Sequence, residues 1–319
     1  MPSRRSILKS ALTGLVTAPF VAPSIVFAKA PYAAAQAPGF YRLMIGSVEV
    51  TALSDGTIAL PLAKLYTNTS EHHAQDALND AFLPELVPTS VNAFLVNTGE
   101  RLVLIDAGTG TYLGPSLGRL ASNIEASGYK LDEIDDVILT HIHTDHSGGL
   151  MSKGKRTFSN ATLRVNEREA KFWLNAANAK AATGIVKQHF GEAEQCVTPY
   201  VEAGKFETFA DNAAPVPGLG SILYAGHTPG HSAITLESGG HKIVFWGDIT
   251  HGDILQFDEP GVAIEFDIDQ KAAVLARDAA FKRAVEGKYL VAGAHIAFPG
   301  IGHVRKDSTN YDWLPINYA

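Results

Sequence analysis

A cluster of metal-binding side chains constrains this sequence more than any other feature. Residues 141–146 read His-Ile-His-Thr-Asp-His, and Ser-Gly-Gly follows at 147–149. Four side chains that can bind a divalent cation therefore lie within six residues, and the small residues behind them allow a loop to fold tightly around an ion. The preceding apolar segment, 136–140, is predicted to be a strand. We interpret residues 141–146 as a metal-binding loop at the end of that strand.

Three further loops with metal-binding side chains each follow a predicted strand. They carry His227 with His231, then Asp248, then His295. Functional residues in layered α/β folds collect at strand ends, so we expect all four loops to meet at one edge.

Composition restricts the chemistry of such a site. The chain has 319 residues, 12 histidines and one cysteine, Cys196, which excludes an intrachain disulfide and a cysteine-only metal cluster. Histidines and carboxylates must then hold any metal. The formal net charge of −7 provides no general attraction for nucleic acid or anionic lipid, so neither is expected as a partner.

Hydrophobic periodicity predicts two similar halves, each a sheet covered by helices. The polar segment 183–212 has no clear pattern and is interpreted as either a lid or an irregular surface segment. The predicted strands are 41–53, 91–96, 101–105, 136–140, 162–165, 222–225, 233–236, 242–246 and 289–292, and the predicted helices are 117–126, 167–179 and 270–285.

The His-x-His-x-Asp-His run, with the later His227, Asp248 and His295, resembles the metallo-β-lactamase superfamily. This resemblance implies an α/β protein with an αββα sandwich fold and a site along the edge of two facing sheets. One branch is especially similar, that of methyl parathion hydrolase and its lactone-hydrolysing relatives. The similar segments are 37–41, 52–57, 114–120, 199–206 and 292–303.

The resemblance also implies roles for individual side chains. Asp248 bridges two divalent ions, zinc or alternatively Mn, Co or Fe, and a hydroxide between the ions is the nucleophile. Asp145 and Asp248 are the carboxylates at the catalytic centre. His231 is expected to orient its loop, and Asp55, Asp106 and Thr140 are candidates to accept a ring N–H from a ligating histidine. The implied ligands are His141, His143 and His227 for one ion and Asp145, His146 and His295 for the other.

The substrate pocket is expected to be apolar, since such hydrolases act on hydrophobic esters. Its candidate residues are Leu65, Trp173, His251, Ile264 and Phe266. The related phosphotriesterase has leucine in place of His251, and arginine and leucine are expected in place of Leu65 and Phe266. These departures favour lactones or aryl esters over organophosphate triesters.

Residues 1–30 resemble a twin-arginine export signal, because Arg4 and Arg5 precede a modestly apolar stretch broken by Gly14, Pro19 and Pro23. Those breaks make it a poor membrane anchor. Residues 31–38 are interpreted as a flexible leader and 39–319 as the hydrolase domain, which predicts a periplasmic or secreted protein. A disordered basic N-terminus of a cytosolic protein is the alternative.

The predicted function is hydrolysis of lactones or aryl esters by a two-metal enzyme, with organophosphate triesters as poorer substrates. A dedicated organophosphorus hydrolase, an acyl-homoserine lactonase and a glyoxalase II-like thioesterase are the alternatives. The branch resemblance further implies a homodimer.

Overall fold

Seven strands form the first sheet of the computed structural model, which describes residues 32–33 and 36–318. The predicted export signal, 1–30, lies outside the described residues, and residues 38–319 form one unit by their contacts. The spatial order is β1-β2-β4-β5-β6-β9-β10, with antiparallel pairing up to β5 and parallel pairing beyond it. These strands are β1 (Phe40–Ile45), β2 (Val48–Leu60), β4 (Val87–Asn97), β5 (Leu102–Ile105), β6 (Asp136–Ile138), β9 (Thr162–Asn166) and β10 (Phe206–Phe209).

Six strands from the second half of the chain form the other large sheet. The neighbours β13 and β15 are parallel, and the remaining pairs are antiparallel. In spatial order the strands are β11 (Leu219–Leu223), β12 (Ser232–Ser238), β13 (His241–Phe245), β15 (Leu290–Ala292), β16 (Ile301–Asp307) and β17 (Asn310–Pro315). Two small pairs, β3 (Tyr66–Thr67) with β14 (Ala263–Ile264) and β7 (Met151–Ser152) with β8 (Lys155–Arg156), lie outside these sheets.

The two large sheets pack face to face because their strands are apolar on the inner side. In β4, Phe94 and Val96 point into the layer between the sheets, whereas Ala93 and Leu95 point to the opposite face. Alternate residues of a strand face opposite sides, so β4 is buried on both faces and reads as a continuous apolar run. Phe94 meets Phe245 of β13 with ring centroids 5.2 Å apart.

Helices cover the outer face of each sheet, as the predicted αββα sandwich requires. The aromatic side chain of Phe281 in the long C-terminal helix packs on the second sheet, and Phe190 and Tyr200 pack on the first. None of the helices in residues 32–33 and 36–318 is long and apolar enough to cross a membrane. The helices are α1 (Leu62–Leu65), α2 (Glu71–Asp80), α3 (Leu120–Ala126), α4 (Thr144–Ser147), α5 (Glu167–Trp173), α6 (Ala176–Ala181), α7 (Gly184–Glu202), α8 (Leu255–Asp258) and α9 (Gln270–Gly287).

The segment 183–212 is more regular than expected, since it contains helix α7 and strand β10. Its apolar residues Phe190, Ala193, Val197 and Tyr200 repeat at helical spacing and are buried, while polar residues occupy the outer face. The predicted helix 167–179 is divided into α5 and α6, because Asn175 caps the second helix by accepting hydrogen bonds from Ala177 and Asn178.

Candidate metal centre

Four loops from both sheets bring seven potential metal ligands together at one edge. They follow the ends of β6, β11, β13 and β15, the strands that precede residues 141–146, His227, Asp248 and His295. The side chains form two overlapping groups that share Asp248, and the ligand atoms within each group lie within 4.8 Å of one another. The first group is His141, His143, His227 and Asp248, and the second is Asp145, His146, His295 and Asp248.

Glycines allow the first of these loops to pack closely. An added Cβ on Gly149 would lie 1.9 Å from the carbonyl oxygen of Ala107, and one on Gly148 would lie 2.2 Å from that of Thr109. Any larger residue would push the metal-binding loop away from the neighbouring segment, so the Gly-Gly pair is a steric requirement of the site.

Three ring nitrogens converge in the first group. His143 Nδ1 lies 3.1 Å from His141 Nε2 and 3.0 Å from His227 Nε2, and His227 Nε2 lies 3.2 Å from Asp248 Oδ2. All four side chains are buried. Burial lowers the pKa of His141 and His143 well below the ordinary value, which favours the neutral form that binds metals.

The second group is richer in carboxylate. His295 Nε2 lies 3.2 Å from both Asp145 Oδ2 and Asp248 Oδ2, and His146 Nε2 lies 3.1 Å from Asp248 Oδ1. Burial alone would lower the pKa of His295, but the negative charges of Asp248 and Asp145 raise it to about 10. The Asp145 side chain is 23% exposed, so this group has the more open side.

The residues present fit divalent ions. Within the described residues, His146 Nε2 and Asp248 Oδ1 lie 3.1 Å apart but are not aligned for a hydrogen bond, and both are buried in the second group without a hydrogen-bond partner. A buried polar atom without a partner is costly, and a cation at this position removes that cost. Imidazole nitrogens together with carboxylate oxygens form a donor set suited to borderline metals such as zinc.

In four of the histidines, the ring nitrogen Nδ1 makes a contact on the side of the ring opposite to the metal-binding group. His146 Nδ1 donates to Asp106 Oδ2 at 2.9 Å, and the Nδ1 of His141 lies 3.1 Å from Thr140 Oγ1, as the candidates Asp106 and Thr140 suggested. Two partners were not anticipated. These are Asp267, 2.9 Å from His227 Nδ1, and the carbonyl oxygen of Ser90, 2.8 Å from His295 Nδ1. Such contacts fix the ring orientation and tautomer of a metal ligand.

His231 lies behind the metal-binding groups and holds the loop of the shared carboxylate. Its Nε2 accepts a hydrogen bond from the Asp248 backbone N–H at 3.0 Å, while its Nδ1 donates to the Tyr224 carbonyl oxygen at 3.2 Å. The position matches the expected orienting role.

The expectation for Asp55 is wrong. This buried carboxylate contacts no histidine and instead accepts hydrogen bonds from Thr109, Gly118 and Leu120, all in the segment that follows β5. Asp55 therefore organises a loop, because it lies within β2 at an irregularity of the pairing with β4, between Ser54 and Gly56, and its side chain reaches that segment.

A cavity of about 190 Å³ lies over the two groups. His251 and Phe266 line it as predicted. His189 of helix α7 also lines the cavity. The lining residues are Ile58, Leu60, Leu113, His143, Asp145, Ile185, His189, His227, Asp248, His251, Phe266 and His295.

The other three predicted pocket residues do not line this cavity. Ile264 is fully buried in β14, and Leu65 packs against the same apolar cluster. Trp173 is also buried, with its ring centroid 5.4 Å from that of His143, so it supports a ligand from behind. Apolar packing between the short helices and β14 accounts for the first two differences.

His251 contacts both metal-binding groups from the cavity side. Its ring stacks on His295 with centroids 5.2 Å apart, and its Nε2 lies 3.2 Å from Asp248 Oδ2. The backbone of His251 is fixed on both sides, since its N–H donates to Gln256 and its carbonyl accepts from the Tyr66 hydroxyl at 2.6 Å.

Comparison with known proteins identifies the class. Residues 86–314 match the family model of the metallo-β-lactamase superfamily, and the chain belongs to that superfamily. The structure is similar to that of AbOPH, described as a hydrolase in the β-lactamase superfamily, with a TM-score of 0.86 and 37% identity over 89% of this chain and 100% of that one. The resemblance inferred from the motifs is confirmed.

Two further relatives are informative about the class of enzyme. AidC, described as a dizinc quorum-quenching lactonase in complex with its product, shares 26% identity at a TM-score of 0.82 over 88% of this chain and 98% of that one. A probable metallo-hydrolase of Mycobacterium tuberculosis is 25% identical over 56% of this chain. The alignment spans 61% of the length of that relative. Relatives by sequence and by structure thus include metal-dependent hydrolases and lactonases.

Proposed function

We propose that this protein is a two-metal hydrolase of neutral lactones or aryl esters. The observation that carries the proposal is the lining of the cavity over the metal-binding groups. Apart from the potential ligands, its side chains are mostly apolar, and none of the described residues that line it is lysine or arginine. An anionic substrate would find no cationic partner there, whereas a neutral hydrophobic ester would be desolvated by the walls.

Two ions, with zinc as the proposed metal, follow from the two groups of ligands around one shared carboxylate. Divalent ions held there would polarise the reacting oxygen of the substrate and lower the pKa of water. Asp248 reaches both groups, since its Oδ2 lies 3.2 Å from His227 Nε2 in the first group and from His295 Nε2 in the second, and its Oδ1 lies near His146 of the second. Asp248 is therefore positioned to fix the spacing of the whole centre.

His251 supplies a polar group on an otherwise apolar wall. Within the described part of the chain its Nδ1 makes no hydrogen bond, although the ring is buried. We assign His251 the role of binding the ring oxygen of a lactone or the phenolic oxygen of an aryl ester. Ile58, Leu60 and Phe266 exclude water around that oxygen.

The shape of the cavity supports planar substrates. The reacting carbon of a lactone is planar, while a phosphotriester is tetrahedral at phosphorus and carries three substituents that need space. His251 and Phe266 both line the cavity, and their flat rings reach further from the backbone than a leucine side chain, so we expect them to favour flat substrates over the metals. Organophosphate triesters are accordingly proposed as secondary substrates.

A second candidate function is hydrolysis of acyl-homoserine lactones. It is favoured by the similarity to AidC over nearly the full length of both chains. A thioester of glutathione or coenzyme A is disfavoured, because the described lining has no cationic side chain for such an anionic carrier.

A substrate panel tests the proposal. Zinc-loaded protein is assayed against dihydrocoumarin, an acyl-homoserine lactone, methyl parathion and an acyl thioester. We expect the highest kcat/KM for dihydrocoumarin or the homoserine lactone. A preference for the thioester, or for methyl parathion, would contradict the proposed substrate class.

We also propose export by the twin-arginine route, on the strength of residues 1–30. Replacing Arg4 and Arg5 by lysine is expected to retain the protein in the cytoplasmic fraction. Unchanged recovery from the periplasm would contradict the assignment of the signal.

The resemblance to the methyl parathion hydrolase branch further supports a homodimer as a proposal. Sedimentation of the purified protein at several concentrations tests it. A monomer at all concentrations would contradict it.

A further inference from the structure

Glu169 is a buried carboxylate at the start of α5 that accepts four hydrogen bonds. One oxygen, Oε1, accepts from the backbone N–H of Ile142 at 2.9 Å and from Trp173 Nε1 at 2.7 Å. The other, Oε2, accepts from Thr228 Oγ1 and from the backbone N–H of Gly230, both at 2.8 Å. None of these partners is a histidine, and Glu169 belongs to neither group of potential metal ligands.

The four hydrogen-bond donors lie in, or pack against, the segments that position the first metal-binding group. Ile142 lies between His141 and His143, and Thr228 and Gly230 follow His227 in the other loop. Trp173 packs its ring against His143. Glu169 therefore joins the two loops that carry all three histidines of the first group.

From these contacts we propose that Glu169 is a positioning residue that sets the spacing of the three-histidine group and thereby its affinity for metal. The inference rests on the proposed two-metal function and names a residue that acts through the backbone of the ligand loops. None of the four hydrogen bonds of Glu169 involves Asp145, His146 or His295 of the second group, so we expect the larger effect on the first group.

An ionised carboxylate is the side chain that this position requires. All four partners donate, and a carboxylate offers two acceptor oxygens with no hydrogen of its own. Glutamine would direct an NH₂ group at two of the donors. Burial raises the pKa of Glu169, and the donated hydrogen bonds act against that shift.

Gly230 provides an independent way to perturb the same contact. A Cβ added to Gly230 would lie 2.3 Å from the backbone nitrogen of Glu169, closer than any real contact. Gly230→Ala must therefore separate the His227 loop from α5 while leaving the carboxylate in the sequence.

Asp55 offers a matched control. Like Glu169 it is a buried carboxylate that accepts four hydrogen bonds from neighbouring loops, but none of those donors lies in a loop that carries a potential ligand. Asp55→Asn should reproduce the loss of fold stability without the effect on metal.

The experiment measures zinc affinity by chelator competition for metal-stripped parent protein, Glu169→Gln, Glu169→Asp, Gly230→Ala and Asp55→Asn. We expect Glu169→Gln and Gly230→Ala to weaken one of two bound ions by about 10–100-fold, the range for loss of an outer contact of a metal site. Glu169→Asp should recover part of the loss. The visible spectrum of the cobalt-substituted protein should change in the same variants and remain parental in Asp55→Asn.

Two double variants, in which Glu169→Gln is combined with the loss of one potential ligand, identify which ion is affected. His295→Ala weakens the second group, so adding Glu169→Gln to that variant should still lower the zinc affinity. His143→Ala disrupts the first group, so adding Glu169→Gln there should not lower the zinc affinity further. Unchanged affinity in both Glu169→Gln and Gly230→Ala, or equal losses for both ions, would overturn the inference. If Glu169→Gln does not fold, Gly230→Ala and Glu169→Asp decide it. A parent that binds two ions but hydrolyses no lactone would contradict the proposed function alone.

Discussion

The two metal-binding groups share Asp248 but differ in composition and exposure. The first has three histidines and one carboxylate, and all four side chains are buried. The second has two histidines and two carboxylates, and Asp145 is 23% exposed. Its histidines, His146 and His295, have a pKa raised above the ordinary value, as has His227 of the first group, whereas the pKa of His141 and His143 is lowered.

This difference indicates that the ions of the two groups have different roles. The first group is an enclosed site, in which Asp267 is hydrogen-bonded to His227 and Glu169 joins the two loops that carry the histidines. Carboxylates leave the second group more negative, which helps to retain a second dication close to the first. Asp145 of the second group is partly exposed and faces the cavity. We therefore expect the ion of the second group to exchange faster than that of the first and to contact the substrate.

The largest expected effect comes from the residue that the groups share. Asp248→Ala removes the carboxylate that both groups share, so we expect both ions to be lost and kcat/KM to fall by more than about 100-fold, the upper range for outer contacts. Elemental analysis and steady-state kinetics measure the two effects. Retention of two ions would show that the groups do not depend on Asp248.

His231→Ala should be less severe, because it removes hydrogen bonds to the Asp248 backbone and to Tyr224 but no potential metal ligand. We expect a loss of kcat/KM of about 10–100-fold with both ions still bound. Equal losses in His231→Ala and Asp248→Ala would contradict the distinction between ligand and support.

A matched pair separates the groups from each other. Asp267→Asn weakens the hydrogen bond to His227 in the first group, and Asp106→Asn weakens that to His146 in the second. Each variant should lose affinity for a different ion by about 10-fold or more. Spectra of mixed zinc and cobalt forms identify which ion is affected, and the same ion lost in both variants would contradict two separate sites.

The smallest effect concerns the wall of the cavity. His251→Leu with Phe266→Leu should leave both ions in place and shift the kcat/KM ratio of dihydrocoumarin to methyl parathion by about tenfold towards the phosphotriester, or about 1.4 kcal/mol. An unchanged ratio with full metal content would mean that these side chains do not determine specificity.

The sequence predicts the parts of the site in which potential metal ligands are concentrated. Residues 141–146, His227, Asp248 and His295 stand out because each follows an apolar strand, and the structure brings them together. Asp267 and Glu169 do not directly follow an apolar strand, so no comparable pattern in the sequence indicates them. Asp267 lies near a helix start and Glu169 within an ordinary polar helix, so their roles arise from contacts between segments far apart in the chain.

Elements at the edges of the fold were missed for a similar reason. The strands β16 and β17 and helix α2 have few buried residues. Helix α7 has polar residues on its outer face and contains Pro199, which obscured the apolar face that carries Phe190 and Tyr200. The role of His189 in the cavity depends on that helix and could not be inferred without it.

Metal content measured together with activity tests the central claim most directly. The protein is stripped, reloaded with zinc in steps and analysed for bound metal and lactone hydrolysis at each step. The two groups predict about two ions per chain at full activity and none of that activity in the stripped protein. Full activity with one ion per chain, or activity that persists without metal, would contradict the account.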